Sequence, residues 1–124
     1  MRIRKRIGAF LCLMSSFASA EITFSSDYDR CVNTVSGQYL DICMDKELEL
    51  QDVKLNKEYH NTMGRIQEFR KYDLRKVQRL WIKYRDAKCE FYYHRYSGSG
   101  GLTDSIQCTI KETIQRTQEL ENIN

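Results

Sequence analysis

The sequence predicts an all-α protein, a long antiparallel hairpin of two helices with a shorter third helix packed on it and two disulfides as staples. Apolar residues recur at three- and four-residue steps along most of the chain, which is the period of an amphipathic helix. The 124 residues include no proline, the residue that most often breaks a helix. Short polar segments separate the periodic ones, so consecutive helices are expected to run antiparallel.

Residues 1–20 are predicted to be a cleaved signal peptide. Four cations within the first six residues precede a short apolar stretch, and Ala18-Ser19-Ala20 supplies a small-x-small cleavage pattern. The apolar stretch is about half as long as a membrane-spanning helix, and Leu11 before Cys12 does not fit a lipid-attachment site. We therefore expect residues 21–124 to form a single helical domain, periplasmic or secreted, with no membrane anchor after cleavage.

Four cysteines remain after the leader, namely Cys31, Cys43, Cys89 and Cys108. An even set in an exported chain predicts disulfides, and neither a C-x-x-C pair nor clustered histidines support a zinc site. Cys89 and Cys108 lie at similar distances from a glycine-rich loop at 97–101, which favours Cys89–Cys108 and leaves Cys31–Cys43. Pairing Cys31 with Cys108 and Cys43 with Cys89 would leave an axial mismatch of roughly 16 Å in the second pair. No metal or other cofactor is predicted.

The periodic segments assign the elements in order. The N-terminal stretch at 21–30 is polar and expected to be irregular. The first long helix is predicted at 38–70, a turn with an Asp73 helix cap at 71–73, the second helix at 74–95, and the third from residue 103 or 104.

Charge is distributed unevenly along the chain. Without residues 1–20, 16 cations face 17 anions, a balance that argues against a nucleic-acid binder of the basic-patch kind. Residues 21–58 hold nine acids and four bases, whereas residues 59–95 hold ten bases and four acids. An anionic end is predicted near the start of the first long helix, formed by Asp41, Asp45, Glu47 and Glu49. Such an end can steer a cationic protein partner.

Three groups of residues carry a resemblance to a known family. They are Asp52-x-x-Leu55-Asn56-x-x-Tyr59, then Leu74-x-x-x-Gln78-x-x-Trp81-x-x-Tyr84-Arg85-Asp86-x-x-Cys89, and the four-cysteine frame with a Gly/Ser loop before Cys108. Together they resemble the LprI-like lysozyme-inhibitor domain family of small exported bacterial domains, over about residues 28–120. The resemblance implies a helical fold and, for a lipoprotein member, inhibition of lysozyme. It assigns no inhibitory residue.

The motif residues also predict a structural polar network. On a helical wheel Asp52 falls on the apolar face of the first long helix, and one face of the second helix carries Gln78, Trp81 and Arg85. Because a buried charge must be paired, we expect Arg85 to reach Asp52 or Asn56, with Trp81 packed beside them. A catalytic acid with an orienting arginine is the less favoured interpretation, since no nucleophile–base pair accompanies these residues. No enzymatic activity is expected.

The expected function is therefore binding without chemistry. The predicted partner is a protein, with lysozyme or a related cell-wall hydrolase as the candidate, inhibited by occlusion of its cleft. The candidate contacts are Asp41, Asp45 and Glu49 of the anionic end, and Ser97 and Ser99 of the Gly/Ser loop. The alternative is a non-catalytic accessory or immunity protein of the cell envelope.

Overall fold

The computed structural model describes residues 21–94 and 99–124, and every regular element within these ranges is helical. The elements are α1 (Ser26–Thr34), a 3₁₀ turn (Gly37–Tyr39), α2 (Leu40–Arg65), α3 (Glu68–Tyr93) and α4 (Ser99–Glu121). The predicted all-α class, with a long hairpin and a third helix, is confirmed. The predicted signal peptide and Ser97 lie outside the described residues.

The last helix, α4, is the central element of the fold. It packs along both α2 and α3, which contact each other much less. It runs parallel to α2, as its two ends show: Ile110 packs against Met44 near the start of α2, and Leu120 packs against Leu55 further along. The hairpin helices therefore splay apart on the side away from α4.

The turn between α2 and α3 lies at Ile66–Gln67, earlier than the predicted turn at 71–73. Ile66 has an extended backbone and is only 6% exposed, so the chain turns around a buried apolar side chain. Arg65 ties this end to the end of α4, because its Nη2 donates to the carbonyl oxygen of Leu120 at 2.6 Å. The turn was predicted at 71–73 because these residues are mostly polar, but polar residues also occur within helices. Lys71 lies inside α3 and pairs with Glu68 at 2.8 Å.

The N-terminal stretch is more ordered than predicted, because α1 occupies the second half of 21–30 and continues to Thr34. Ser25 caps the helix, its Oγ accepting from the Tyr28 backbone N–H at 3.1 Å. Phe24 and Tyr28 pack on the core beside Met44, and a disulfide joins Cys31 to Cys43. The sequence carried the signal for this helix in its serine cap and its acidic first turn.

The core consists of two apolar clusters. One lies at the hairpin turn, around Leu55, Leu74 and Leu120. The other lies at the opposite end, around Met44 and Ile110. The region between them is crossed by buried or half-buried polar side chains, which form the candidate site.

A second disulfide joins Cys89 of α3 to Cys108 of α4. α4 begins at Ser99 rather than at 103 or 104, so Gly100 and Gly101 belong to the helix and the connection from α3 is shorter than predicted. Gly101 is buried. A Cβ at Gly100 would meet no atom of the described residues within 4 Å.

Candidate functional site

A polar contact links all three long helices through Arg85. Its Nη1 lies 3.4 Å from the Asp52 carboxylate on α2 and 3.3 Å from the hydroxyl of Thr113 on α4. The Thr113 hydroxyl is fully buried and donates to the Thr109 carbonyl at 2.7 Å, so it accepts from Arg85 with its free lone pair. Arg85 also pairs with its neighbour Asp86. One guanidinium thus sets the register of three helices.

The turn position explains why Arg85 meets Asp52 rather than Asn56. Counted from the turn at Ile66–Gln67, Asp52 and Arg85 differ by four residues, which is about 6 Å along a helix. Asn56 is one turn further from the level of Arg85. It is exposed, on the wall of the groove described below.

Gln78 contacts a residue that the sequence analysis did not single out. Its side-chain oxygen accepts from Nε of Arg116 on α4 at 3.0 Å, and both residues are buried. Arg116 also binds Glu119 through Nη1 at 2.9 Å. Its other terminal nitrogen, Nη2, is buried without a hydrogen-bond partner among the described residues.

Trp81 lies between the two arginines. The Arg85 guanidinium carbon is 5.2 Å from the Trp81 ring centroid, and that of Arg116 is 5.9 Å away. Both distances are within the range of a cation–π attraction. The indole therefore helps to offset the burial of positive charge while it closes the apolar cluster around Leu74.

Six of the family-like motif residues line one groove. This groove between α2 and α3, with a volume of about 420 Å³, opens where the two helices splay apart. Its lining includes Asp52, Leu55, Asn56 and Tyr59 from the first motif, Gln78 and Arg85 from the second, and Arg75, Arg79 and Ile82 between them. Neither Ser, Cys nor His is among these residues, so the described lining holds no nucleophile–base pair. The arrangement offers hydrogen bonds, charge and a tyrosine ring for binding.

The predicted anionic end is present on α2 as three exposed carboxylates. Asp41, Asp45 and Glu49 follow at four-residue steps, so they form one stripe about 12 Å long. In the described part of the chain, none of the three has a cationic side chain within 4 Å. We call this row the acidic stripe.

Glu47, which the sequence analysis grouped with the anionic end, does not belong to the acidic stripe. It is 2% exposed, and its carboxylate accepts from the Ser25 backbone N–H and from Gln51, both at 2.8 Å. The pKa of Tyr28 is raised mainly by desolvation, and further by the charges of Asp29 and Glu47. The charge of Glu47 thus anchors α1 instead of facing solvent.

The second disulfide is flanked by an ion pair. Lys88 Nζ lies 2.7 Å from Glu112, and this hydrogen bond raises the pKa of Lys88. The pair lies beside Cys89–Cys108 and repeats the link between α3 and α4. Ser99 is the first residue of α4.

Three general properties of the described residues bear on function. No described helix is long and apolar enough to span a bilayer. Clusters of three or more residues suited to holding a metal ion do not occur within 21–94 and 99–124. Two disulfides are typical of proteins outside the cytoplasm.

Comparison with known proteins gives a family and two relatives. The sequence profile described as Lysozyme inhibitor LprI matches residues 31–120. The uncharacterized protein R02472 of Rhizobium meliloti (strain 1021) is 31% identical over 109 residues, covering 75% of this chain and 77% of the relative. The uncharacterized protein YecT of Escherichia coli (strain K12) is 28% identical over 113 residues, covering 78% of this chain and 67% of the relative. No solved structure shows a significant match.

The profile match spans the whole structural frame. It begins at Cys31, in the first disulfide, and ends at Leu120, whose side chain is fully buried in the core. It therefore contains α2, α3 and nearly all of α4, together with the groove and the acidic stripe. The chain belongs to the LprI lysozyme-inhibitor family.

Proposed function

We propose that this protein is a periplasmic or secreted inhibitor that binds lysozyme, or a related cell-wall hydrolase, and occludes its cleft without carrying out chemistry. The observation that carries the proposal is the acidic stripe of Asp41, Asp45 and Glu49 in a member of this family, exposed and with no ion pair among the described residues. Lysozymes of animal type are strongly cationic. Opposite charge across an interface raises the association rate and fixes orientation.

The acidic stripe lies on a rigid support. Cys31–Cys43 fastens α1 to the start of α2, and the bonds from Ser25 and Gln51 to Glu47 hold the buried side of the same segment. A preorganised surface loses little conformational entropy on binding. Three carboxylates on one stapled helix are therefore well suited to a docking surface.

The Gly/Ser connection between α3 and α4 is a second proposed contact. Ser97 lies outside the described residues and Ser99 is the first residue of α4, the helix that Cys108 joins to Cys89 of α3. Small polar residues at such a connection can enter a sugar-binding cleft. Removing the connection's glycines and serines while keeping the disulfide would reduce binding if this segment inserts. Undiminished binding would remove Ser97 and Ser99 from the interface.

Lysis of a peptidoglycan suspension tests the function directly. Oxidised protein comprising residues 21–124 is titrated into animal-type lysozyme, and the expected result is a stoichiometric loss of lysis that disappears on reduction of the disulfides. Lysis that continues at a large molar excess would show that the inhibitor function does not extend to this enzyme.

Charge variants test the proposed surface. Asp41→Asn, Asp45→Asn and Glu49→Gln together should lower the association rate about tenfold at low salt, and less as salt screens the charges. A matched control replaces three exposed carboxylates elsewhere: Asp73→Asn, Glu90→Gln and Glu121→Gln. Equal losses in both variants would assign the effect to net charge and not to the acidic stripe.

A non-catalytic envelope accessory or immunity protein is the second candidate. The observation that favours it is the exposure of apolar residues on α3, with Phe69 74% and Phe91 75% exposed. Contiguous exposed apolar patches mark interaction surfaces, and Phe69 and Phe91 mark the two ends of α3, about 33 Å apart. Capture of an envelope protein that requires Phe69 or Phe91, by a protein with no effect on lysis, would support this candidate.

A further inference from the structure

The outer side of α3 carries a basic face, two residues of which, Arg75 and Arg79, also line the groove between α2 and α3. It consists of Tyr72, Arg75, Lys76, Arg79, Leu80 and Lys83, which share one side of the helix and surround a shallow hollow of about 330 Å³. All six are exposed. The inward side of α3, which packs on α4, is the opposite one.

Within the part of the chain that the structure describes, the four cations of the basic face have no ion pair. None of Arg75, Lys76, Arg79 and Lys83 has a carboxylate within 4 Å among the described residues. Other cations of α3 are paired: Lys71 with Glu68, Arg85 with Asp52, and Lys88 with Glu112. Positive charge is thus in excess on this side of the helix, although the charge of Arg75, after the hydrogen bond and charge of Lys71, also helps to lower the pKa of Glu68.

The apolar members of the basic face indicate what kind of anionic surface it fits. Tyr72 is 68% exposed and precedes the four cations, and Leu80 is 57% exposed and lies between Arg79 and Lys83. Helices that lie in a membrane interface also combine Lys and Arg with aromatic and leucine side chains, the apolar ones on the face that meets the acyl chains. In the basic face both kinds of side chain share one exposed side of α3. The long stems of Lys and Arg cover apolar surface while their charges reach phosphate. A nucleic acid would supply phosphates but no apolar layer.

We propose that the basic face of α3 docks the protein peripherally on an anionic phospholipid bilayer. The four cations bind lipid phosphates, and Tyr72 and Leu80 lie at the boundary with the acyl chains. Each cation near such a surface contributes about fivefold in affinity. The acidic stripe on α2 is repelled by the same lipids, which favours an orientation with α3 towards the membrane. This inference does not rest on inhibition of lysozyme.

Vesicle co-sedimentation tests the proposal without any hydrolase present. The probe is the exported protein, purified with its disulfides intact after expression of the whole chain. Binding is expected to phosphatidylcholine vesicles that contain phosphatidylglycerol, and not to pure phosphatidylcholine vesicles. It should weaken steeply as salt is raised. Absence of binding to phosphatidylglycerol, or equal binding to both vesicles, would overturn the proposal.

A charge-matched pair of variants separates the basic face from net charge. Arg75→Gln, Lys76→Gln, Arg79→Gln and Lys83→Gln together should reduce binding at least a hundredfold. The control replaces four exposed cations on α2 and α4: Lys46→Gln, Lys54→Gln, Lys57→Gln and Lys111→Gln. It has the same net charge and should bind within about threefold of the unmodified protein. An equal loss in the control would overturn the proposal.

Two further variants complete the test. Tyr72→Ser with Leu80→Ser should weaken binding about tenfold with no change of charge, and an unchanged affinity would argue against insertion of apolar side chains. If the fourfold variant fails to fold, Lys76→Gln with Lys83→Gln should still lose binding about twentyfold. Equally tight binding of the unmodified protein to duplex DNA would overturn the assignment to lipid.

Discussion

Gln78 on α3 and Arg116 on α4 share a buried hydrogen bond, with 3.0 Å between Gln78 Oε1 and Arg116 Nε. The charge of Arg116 is almost entirely removed from water, with the residue only 7% exposed. Its compensation comes from Gln78, from Glu119 and from the face of Trp81. Held in this way, the buried charge of Arg116 helps to fix the axial alignment of α3 and α4. Removal of any single partner is expected to destabilise the fold.

Replacement of Gln78 by leucine should therefore destabilise the fold by about 1–3 kcal/mol, because Nε of Arg116 loses its acceptor. Combining Gln78→Leu with Arg116→Met should cost less than the sum of the two single changes, since no buried donor then lacks a partner. Urea unfolding of the four proteins measures both quantities. Additive losses would contradict the coupling.

Arg85→Met should cost about 2 kcal/mol, because it breaks the contacts with both Asp52 and Thr113 and leaves the Thr113 hydroxyl without its donor. Asp52→Asn should cost less than about 1 kcal/mol, since the Asp52 side chain is half exposed. Arg79→Met is the control on the same helix, expected within about 0.5 kcal/mol of the unmodified protein. Thermal unfolding measures all three, and an unchanged melting temperature for Arg85→Met would remove the structural role of this residue.

Loss of the Cys89–Cys108 disulfide should cost about 3 kcal/mol in the chain-entropy model. The Lys88–Glu112 pair and the surrounding helices remain, so Cys89→Ser with Cys108→Ser should fold to the same helical structure at a lower melting temperature. Circular dichroism checks the helix content, and calorimetry checks the shift. A variant as stable as the unmodified protein would show that α3 and α4 do not need the staple.

The architecture was predictable because it depends on patterns that extend over whole helices. Apolar spacing of three and four residues marks α2, α3 and α4, and loop symmetry suggested pairing Cys89 with Cys108. The turn was misplaced because Ile66 carries no local turn signal. Its position is set by burial in the cluster with Leu74 and Leu120 and by Arg65 at the end of α4.

The polar residues were harder to assign, since sequence position alone does not say which charge is buried. Glu47 lies among exposed acids yet anchors Ser25, a contact that required α1 to fold back on α2. Arg116 lies two residues after Ile114, in a helix whose sequence pattern predicts apolar residues inward and polar residues outward. Its partner Gln78 is on another helix. The inward position of Gln78 on α3 was the sequence signal that a polar partner lies on a neighbouring helix.

Glu58 makes the stability of the hairpin end depend on acid pH. Its carboxylate accepts from Asn61 at 3.1 Å and from Arg65 at 2.9 Å, and the hydrogen bond from Asn61 is the main cause of its lowered pKa, followed by the bond and charge of Arg65. A lowered pKa in the folded state means that the stabilisation is fully present above the ordinary value of 4.5 and is lost as the pH falls through the lowered value. Glu58→Gln should therefore unfold at a lower temperature than the unmodified protein at neutral pH, and the gap should close on acidification. Glu121→Gln, an exposed change at the end of α4, serves as the control in the same pH series. If the difference in unfolding temperature between Glu58→Gln and the unmodified protein stays constant down to strongly acid pH, the ionised carboxylate does not stabilise the junction of α2 and α4.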